Sequence, residues 1–190
     1  MNNNRKNAII QTTEFIQSKD EKVILLKGTH QYEKHSLVLK LLSESKEFIT
    51  GLYRSNSMQN IAMQLDHAGY KVKLNQKFTS GRLYNLNGLR IYFDSLFTRS
   101  TWSNTAQQLD FAIIYPMDSF CSSKNDLKED FLNDILVMKK VKKIFIVTWT
   151  DMRHDYTWLA PYVDRTVVFD ADEEDPEYHN RVIRSSQRNY

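Results

Sequence analysis

The sequence predicts an α/β fold: a mainly parallel sheet flanked by helices, with one β-hairpin insertion. Three observations lead there. Short apolar runs at Val23–Leu26, Leu109–Met117 and Lys143–Trp149 have the branched composition of buried strands. Segments with helical spacing stand between them, such as Leu37, Val38, Leu41 and Leu42, or Leu127, Phe131, Ile135 and Met138. An Asn87-Gly88 pair sits inside LYNLNGLRIYF, where a tight turn needs two residues at positive φ.

Taken in order, Met1–Asn7 is polar and Ala8–Ser18 reads as a helix. Val23–Lys27 is the first strand, ended by Gly28, and a helix follows over Glu33–Ser43. Glu47–Tyr53 is the second strand. Ser55-Asn56-Ser57 can cap a helix carrying Met58, Ile61, Ala62 and Leu65, and Gly69 ends it. Lys71–Leu74 is expected as a short strand, and Leu83–Phe93 as a hairpin with Leu89, Ile91 and Phe93 on its buried face. Leu109–Met117 is a strand, Asp126–Lys140 a helix and Lys143–Trp149 a strand. His154–Tyr162 is expected to be helical and Arg165–Ala171 to be the last strand. Pro176 then opens a closing helix with Asp175 as its cap.

At 190 residues, one domain spanning 1–190 is expected, with a helical extension over 1–20 and a C-terminal helix and tail over 172–190. Hydrophobic residues make up 41% of the chain, enough for a core, and the net charge of +3 does not by itself demand an anionic partner. Cys121 is the only cysteine, so no internal disulfide can form. No apolar run reads as a signal peptide or a membrane span, so a cytoplasmic protein with no membrane partner is expected.

The order strand, loop, helix at Val23–Leu42 is where a phosphate-binding loop would sit. Gly28-Thr29-His30-Gln31-Tyr32-Glu33-Lys34-His35 stands against the pattern G-x-x-x-x-G-K-[ST]. Gly28 and Lys34 match. Glu33 replaces the second Gly, His35 replaces the hydroxyl residue, and Ser36 comes one place late. On these residues the chain resembles the P-loop NTPases of the RecA-like and AAA-like branches, with degenerate motifs. In that resemblance Leu109–Ser119 is the strand that ends in Asp-Glu, but Tyr115-Pro116 stands there and Asp118 follows. Ile144–Asp151 resembles the strand bearing a polar sensor residue, with Thr148 or Thr150 as the counterpart.

The resemblance implies a vestigial phosphate site at Gly28, Lys34, Ser36 and Asp118, with no catalytic residue, no metal and no cofactor. Glu33 brings a Cβ and a negative charge to a position where backbone must approach phosphate. His35 is a poor ligand for Mg²⁺, which prefers hard oxygen donors. The expectation is a catalytically inactive module that binds DNA, RNA or a protein partner, another copy of itself included. The alternative is an active ATPase with an unusual loop that uses ATP and Mg²⁺. His30 and His35 lack the further ligands a metal site needs, and Cys121 has no thiol-enzyme signature around it.

Charge distribution supplies the binding surface. Lys71, Lys73, Lys77, Arg82, Arg90 and Arg99 face one acid, Asp94, within Lys71–Leu109, and Tyr92 is among several interleaved aromatics. Basic side chains neutralise phosphates and exposed rings stack on bases. These seven residues, Tyr92 included, are the expected nucleic-acid contacts. Further on, Asp170–Glu177 holds six acids and Asn180–Tyr190 holds three arginines.

Overall fold

The computed structural model describes residues 3–150 and 154–187. Its centre is a seven-stranded sheet, and helices cover both faces. The strands are β1 (Val23–Lys27), β2 (Thr50–Ser55), β3 (Leu83–Leu86), β4 (Leu89–Ser95), β5 (Gln108–Tyr115), β6 (Lys140–Val147) and β7 (Arg165–Val168). Their order across the sheet is β3-β4-β2-β5-β6-β1-β7. Every pairing is parallel except β3 with β4. The helices are α1 (Arg5–Gln17), α2 (Glu33–Glu44), α3 (Ile61–His67), α4 (Asn125–Leu132) and α5 (Pro176–Gln187).

The apolar runs exist because both faces of the sheet are buried. Ile24 and Leu26 of β1 point into one cluster, with Phe15 of α1, Leu37 and Leu42 of α2, and Leu65 of α3. Val23 and Leu25 point into the other, with Phe131 of α4, Phe120 and Leu159. The hairpin is as expected: Asn87 and Gly88 sit at φ 47° and 87°, and Leu89, Ile91 and Phe93 are buried. Because β4 also pairs in parallel with β2, the hairpin extends the sheet as one of its edges.

Several boundaries differ from expectation. Lys71–Leu74 is not a strand; it belongs to an irregular loop with Lys71, Lys73 and Lys77 exposed. β2 begins later and runs on to Ser55, because its Arg54 finds Asp94 directly opposite on β4. The helix expected over Asp126–Lys140 ends as a wider π turn at Asn133–Met138. That turn sends Ile135 into the core and Asp134 to Arg54, and leaves Val137 and Met138 71% and 57% exposed. β6 then starts at Lys140, where pairing with Gln108 of β5 sets the register. The segment before β7 is a 3₁₀ helix, Thr157–Tyr162, and β7 stops at Val168. Asn4 caps α1 by accepting the Asn7 N–H at 2.9 Å, and Asp175 accepts the Tyr178 N–H at the start of α5. Among the described residues no helix is long and apolar enough to cross a membrane.

Candidate functional site

The carboxyl ends of β1, β5, β6 and β7 meet at one edge of the sheet, where ligand sites of parallel sheets gather. Gly28 closes β1 at φ +119°. A Cβ there would lie 2.3 Å from the Phe169 carbonyl oxygen, so the glycine lets β1 and the chain after β7 touch. The Phe169 N–H donates to Lys27 O, and the His30 N–H donates to Phe169 O.

Lys34 has no exposed surface. Its ammonium donates to the carbonyls of Gly28 and His30, both at 2.5 Å, and of Trp149 at 2.7 Å. The loop has thus wrapped around its own lysine. The backbone N–H of Thr29 donates to the Asp170 carboxylate at 2.9 Å, and Thr29 Oγ1 accepts the Ala171 N–H. Thr29 Oγ1 also lies 2.9 Å from His179 Nδ1 on α5. An internal carboxylate therefore holds a loop amide of the kind that would otherwise hold a phosphate oxygen.

Asp118 is buried and accepts the N–H groups of Trp149 and Thr150 at 2.5 and 3.1 Å. Trp149 thus joins two of the sequence candidates: its N–H goes to Asp118 and its carbonyl to Lys34. Ser36 stands apart, with its hydroxyl turned back onto the Tyr32 carbonyl at 2.7 Å. Thr148 is fully buried, and its Oγ1 has no hydrogen-bond partner among the described residues. At the mouth, Tyr32 and Trp149 are 40% and 41% exposed, with ring centroids 6.3 Å apart.

Glu33 does not project a free charge into the loop. It pairs with Arg5 of α1 at 2.9 Å, and Arg5 also forks onto Glu174 at 2.5 and 2.8 Å. Arg5, followed by His30, holds the Glu174 carboxyl down at about 2. This ion-pair chain ties α1, the loop and the acidic segment together. No local pattern announces it, because Arg5, Glu33 and Glu174 are far apart in the chain.

His35 is buried, stacks on the Tyr115 ring at 4.1 Å, and donates Nε2–H to the Gln64 carbonyl at 2.9 Å. Burial lowers its pKa from 6.5 to about 4. The sign follows from linkage. Between about 4 and 6.5 the unfolded chain takes up a proton that the folded chain refuses, so stability falls as pH falls through that window. The stability lost between pH 7 and pH 4.5 should shrink by about 2 kcal/mol in His35→Phe, which keeps the ring stack. Urea unfolding at the two pH values measures this.

The expected nucleic-acid residues divide. Lys71, Lys73, Lys77, Arg82 and Arg90 are exposed, and no ion pair engages them among the described residues. Arg82 lies over the Tyr84 ring at 5.3 Å. Tyr84 packs on the α1–α3 face, so Arg82 belongs to that face, whereas Arg90 alternates with Leu89 and Ile91 and points to the other. Tyr92 is half-buried against the second cluster. Arg99 is held by Asp126 at 3.2 Å and Asp130 at 2.7 Å. Phe78, Phe93 and Trp102 are core residues, so the aromatic content of this segment mostly serves packing.

Sequence reasoning also missed a buried charge cluster. Arg54, with no exposed surface, forks onto Asp94 at 2.8 Å through two nitrogens, reaches Asp134 at 2.8 Å, and lies over Trp102 at 4.6 Å. The one available signal was a charge inside an otherwise buried run, GLYRS. Searches against protein-family models and against curated proteins find no match to this chain.

Proposed function

We propose that the chain is a P-loop NTPase-like module that does not hydrolyse nucleotide and works by binding nucleic acid. The observation carrying the first part is the state of Lys34. Its ammonium is spent on three carbonyls of its own fold, and Asp170 takes the neighbouring loop amide. A γ-phosphate would have to displace those internal partners. Ser36 and Asp118, the two residues left to serve Mg²⁺, are turned to backbone groups. These residues do not fit a nucleotide–metal pair. The P-loop-like reading draws support from strand neighbourhood: the loop strand β1 and the acidic-motif strand β5 flank β6, the sensor-like strand.

The binding surface is the hairpin edge on the α1–α3 side, with Lys71, Lys73, Lys77 and Arg82 exposed and Arg82 beside a Tyr ring. Phosphate contacts release counterions, so affinity falls steeply with salt. Titration calorimetry with ATP and GTP, with and without Mg²⁺, should detect no submillimolar binding. Anisotropy with a labelled single-stranded oligonucleotide should show salt-sensitive binding that Lys73→Glu with Arg82→Glu abolishes. Arg99→Ala should change it little, since that guanidinium is already paired. Submillimolar, Mg²⁺-dependent nucleotide binding by the native chain would overturn the first part. Absence of oligonucleotide binding at low salt would overturn the second.

A further inference from the structure

Two cavities at opposite ends of the sheet are lined by side chains of opposite charge. At the amino ends of β2, β5 and β6 lies a cavity of about 950 Å³, lined by Lys22, Lys139, Lys140 and Lys142 against one carboxylate, Asp110. Lys139 faces inward, donating to Trp102 O and Thr105 Oγ1 at 2.9 Å. Lys142 reaches Asp110 at 2.7 Å, and that carboxylate also accepts the N–H groups of Ile49 and Thr50. Lys140 is exposed and takes part in no ion pair among the described residues. Val137 on the π turn is an exposed apolar residue of the lining, and the exposed Met138 and Ile49 are chain neighbours of the lining residues Val137 and Thr50.

At the carboxyl end the acidic segment folds over the loop. Asp170, Asp172 and Glu173 line a second cavity of about 380 Å³ with Asn3, Asn4 and His179. Asp172, Glu173, Asp175 and Glu177 are exposed. The half-exposed rings of Tyr32 and Trp149 sit at the same end of the sheet.

We propose that the lysine cavity of one copy receives the acidic segment Asp170–Glu177 of a second copy. Charge complementarity between the two ends argues for this occupant. The lining argues against nucleic acid, because among the described residues no aromatic ring lines the cavity to stack a base. Val137, Met138 and Ile49 instead offer apolar surface to a protein. The cavity lies at the amino ends of β2, β5 and β6 and the acidic segment beyond the carboxyl ends of β1 and β7, so two different patches meet and the contact is head-to-tail. It leaves each pair with one free cavity and one free acidic segment, so growth continues as an open chain of copies unless the rotation closes a ring. The proposal stands apart from the nucleotide and nucleic-acid readings above, since it uses neither the loop lysine nor the hairpin edge.

Sedimentation velocity of the native chain over a concentration series tests it. Mass should rise with concentration at low salt and return to monomer at roughly 0.5 M salt, where charges are screened beyond about 4 Å. Lys140→Glu with Lys142→Glu removes the cavity's attraction, and Asp172→Lys with Glu173→Lys removes the segment's. Each variant alone should associate at least about tenfold more weakly than the native chain. Mixed one to one, the neutralised variants Lys140→Ala with Lys142→Ala and Asp172→Asn with Glu173→Gln should form a capped pair and grow no further, through the intact segment of the first and the intact cavity of the second. The two charge-reversed variants should instead grow again when mixed, because the reversed cavity attracts the reversed segment. These four positions are exposed, and Lys140→Ala with Lys142→Ala gives the same reading if a reversal disturbs folding. A native chain that stays monomeric at low salt overturns the proposal. So does assembly that survives either variant, growth past two in the neutralised mixture, or a charge-reversed mixture that stays monomeric.

Discussion

Replacing Lys34 by Met should lower stability by roughly 3 kcal/mol or more, because buried carbonyls are left without their donor. In a chain of this size that is a fall in Tm of about 6–12 °C. The result separates two roles for the residue. A lysine kept for a ligand lacks internal partners, and replacing it commonly leaves stability unchanged or raises it. Here the ammonium joins the carbonyls of Gly28, His30 and Trp149, so it fastens the end of β1 to the end of β6. Thermal unfolding of the native chain and of Lys34→Met is the measurement. A variant that melts at or above the native temperature would return Lys34 to the class of ligand-binding residues.

Arg54→Leu should be at least as damaging, costing about 3–5 kcal/mol near neutral pH. Leucine fills much of the space beside Trp102 and leaves the Asp94 carboxylate buried and the partly buried Asp134 unpaired. A carboxylate without its cation takes a proton in the folded state at higher pH than in the unfolded state. The folded variant then binds more protons, so its deficit should shrink as the solution is acidified. Adding Asp94→Leu to Arg54→Leu should recover part of the loss at neutral pH, since paired removal of a buried ion pair costs far less than removal of one member. Urea unfolding of the single and double variants, at neutral and mildly acidic pH, gives the comparison.

The parts of this fold readable from sequence were those governed by local pattern. β1 matched residue for residue, because a run of four branched apolar residues bounded by Lys and Gly has one reading in a sheet buried on both faces. The Asn87-Gly88 turn matched because few residue pairs tolerate its dihedrals. Legibility failed where a distant charge decided the outcome. Arg54 extends β2 only because Asp94 lies opposite, and the π turn after α4 delivers Asp134 to the same guanidinium. The site divides the same way. Gly28, Lys34 and Asp118 were found from spacing, and the structure gathers them around Trp149. That the neighbouring amide and hydroxyl of Thr29 are already engaged depends on Asp170 and His179, about 140 and 150 positions further on, which no window along the chain can relate to Thr29.

The position of β1 between β6 and β7 has a consequence for how the chain is made. Synthesis runs from the N-terminus, so a strand whose partners are encoded far downstream waits for them. β1 is the first strand to emerge, yet both of its neighbours are encoded after residue 139. The carbonyl of Trp149, which holds Lys34 in place, arrives 115 residues after the lysine. Until then Val23–Leu26 is an apolar strand with two open edges, and contacts of such long sequence separation form slowly. On the ribosome β2 has both of its partners, β4 and β5, before β6 is made. The oldest strand in the chain is therefore the one a nascent polypeptide must keep from pairing with the wrong neighbour for longest.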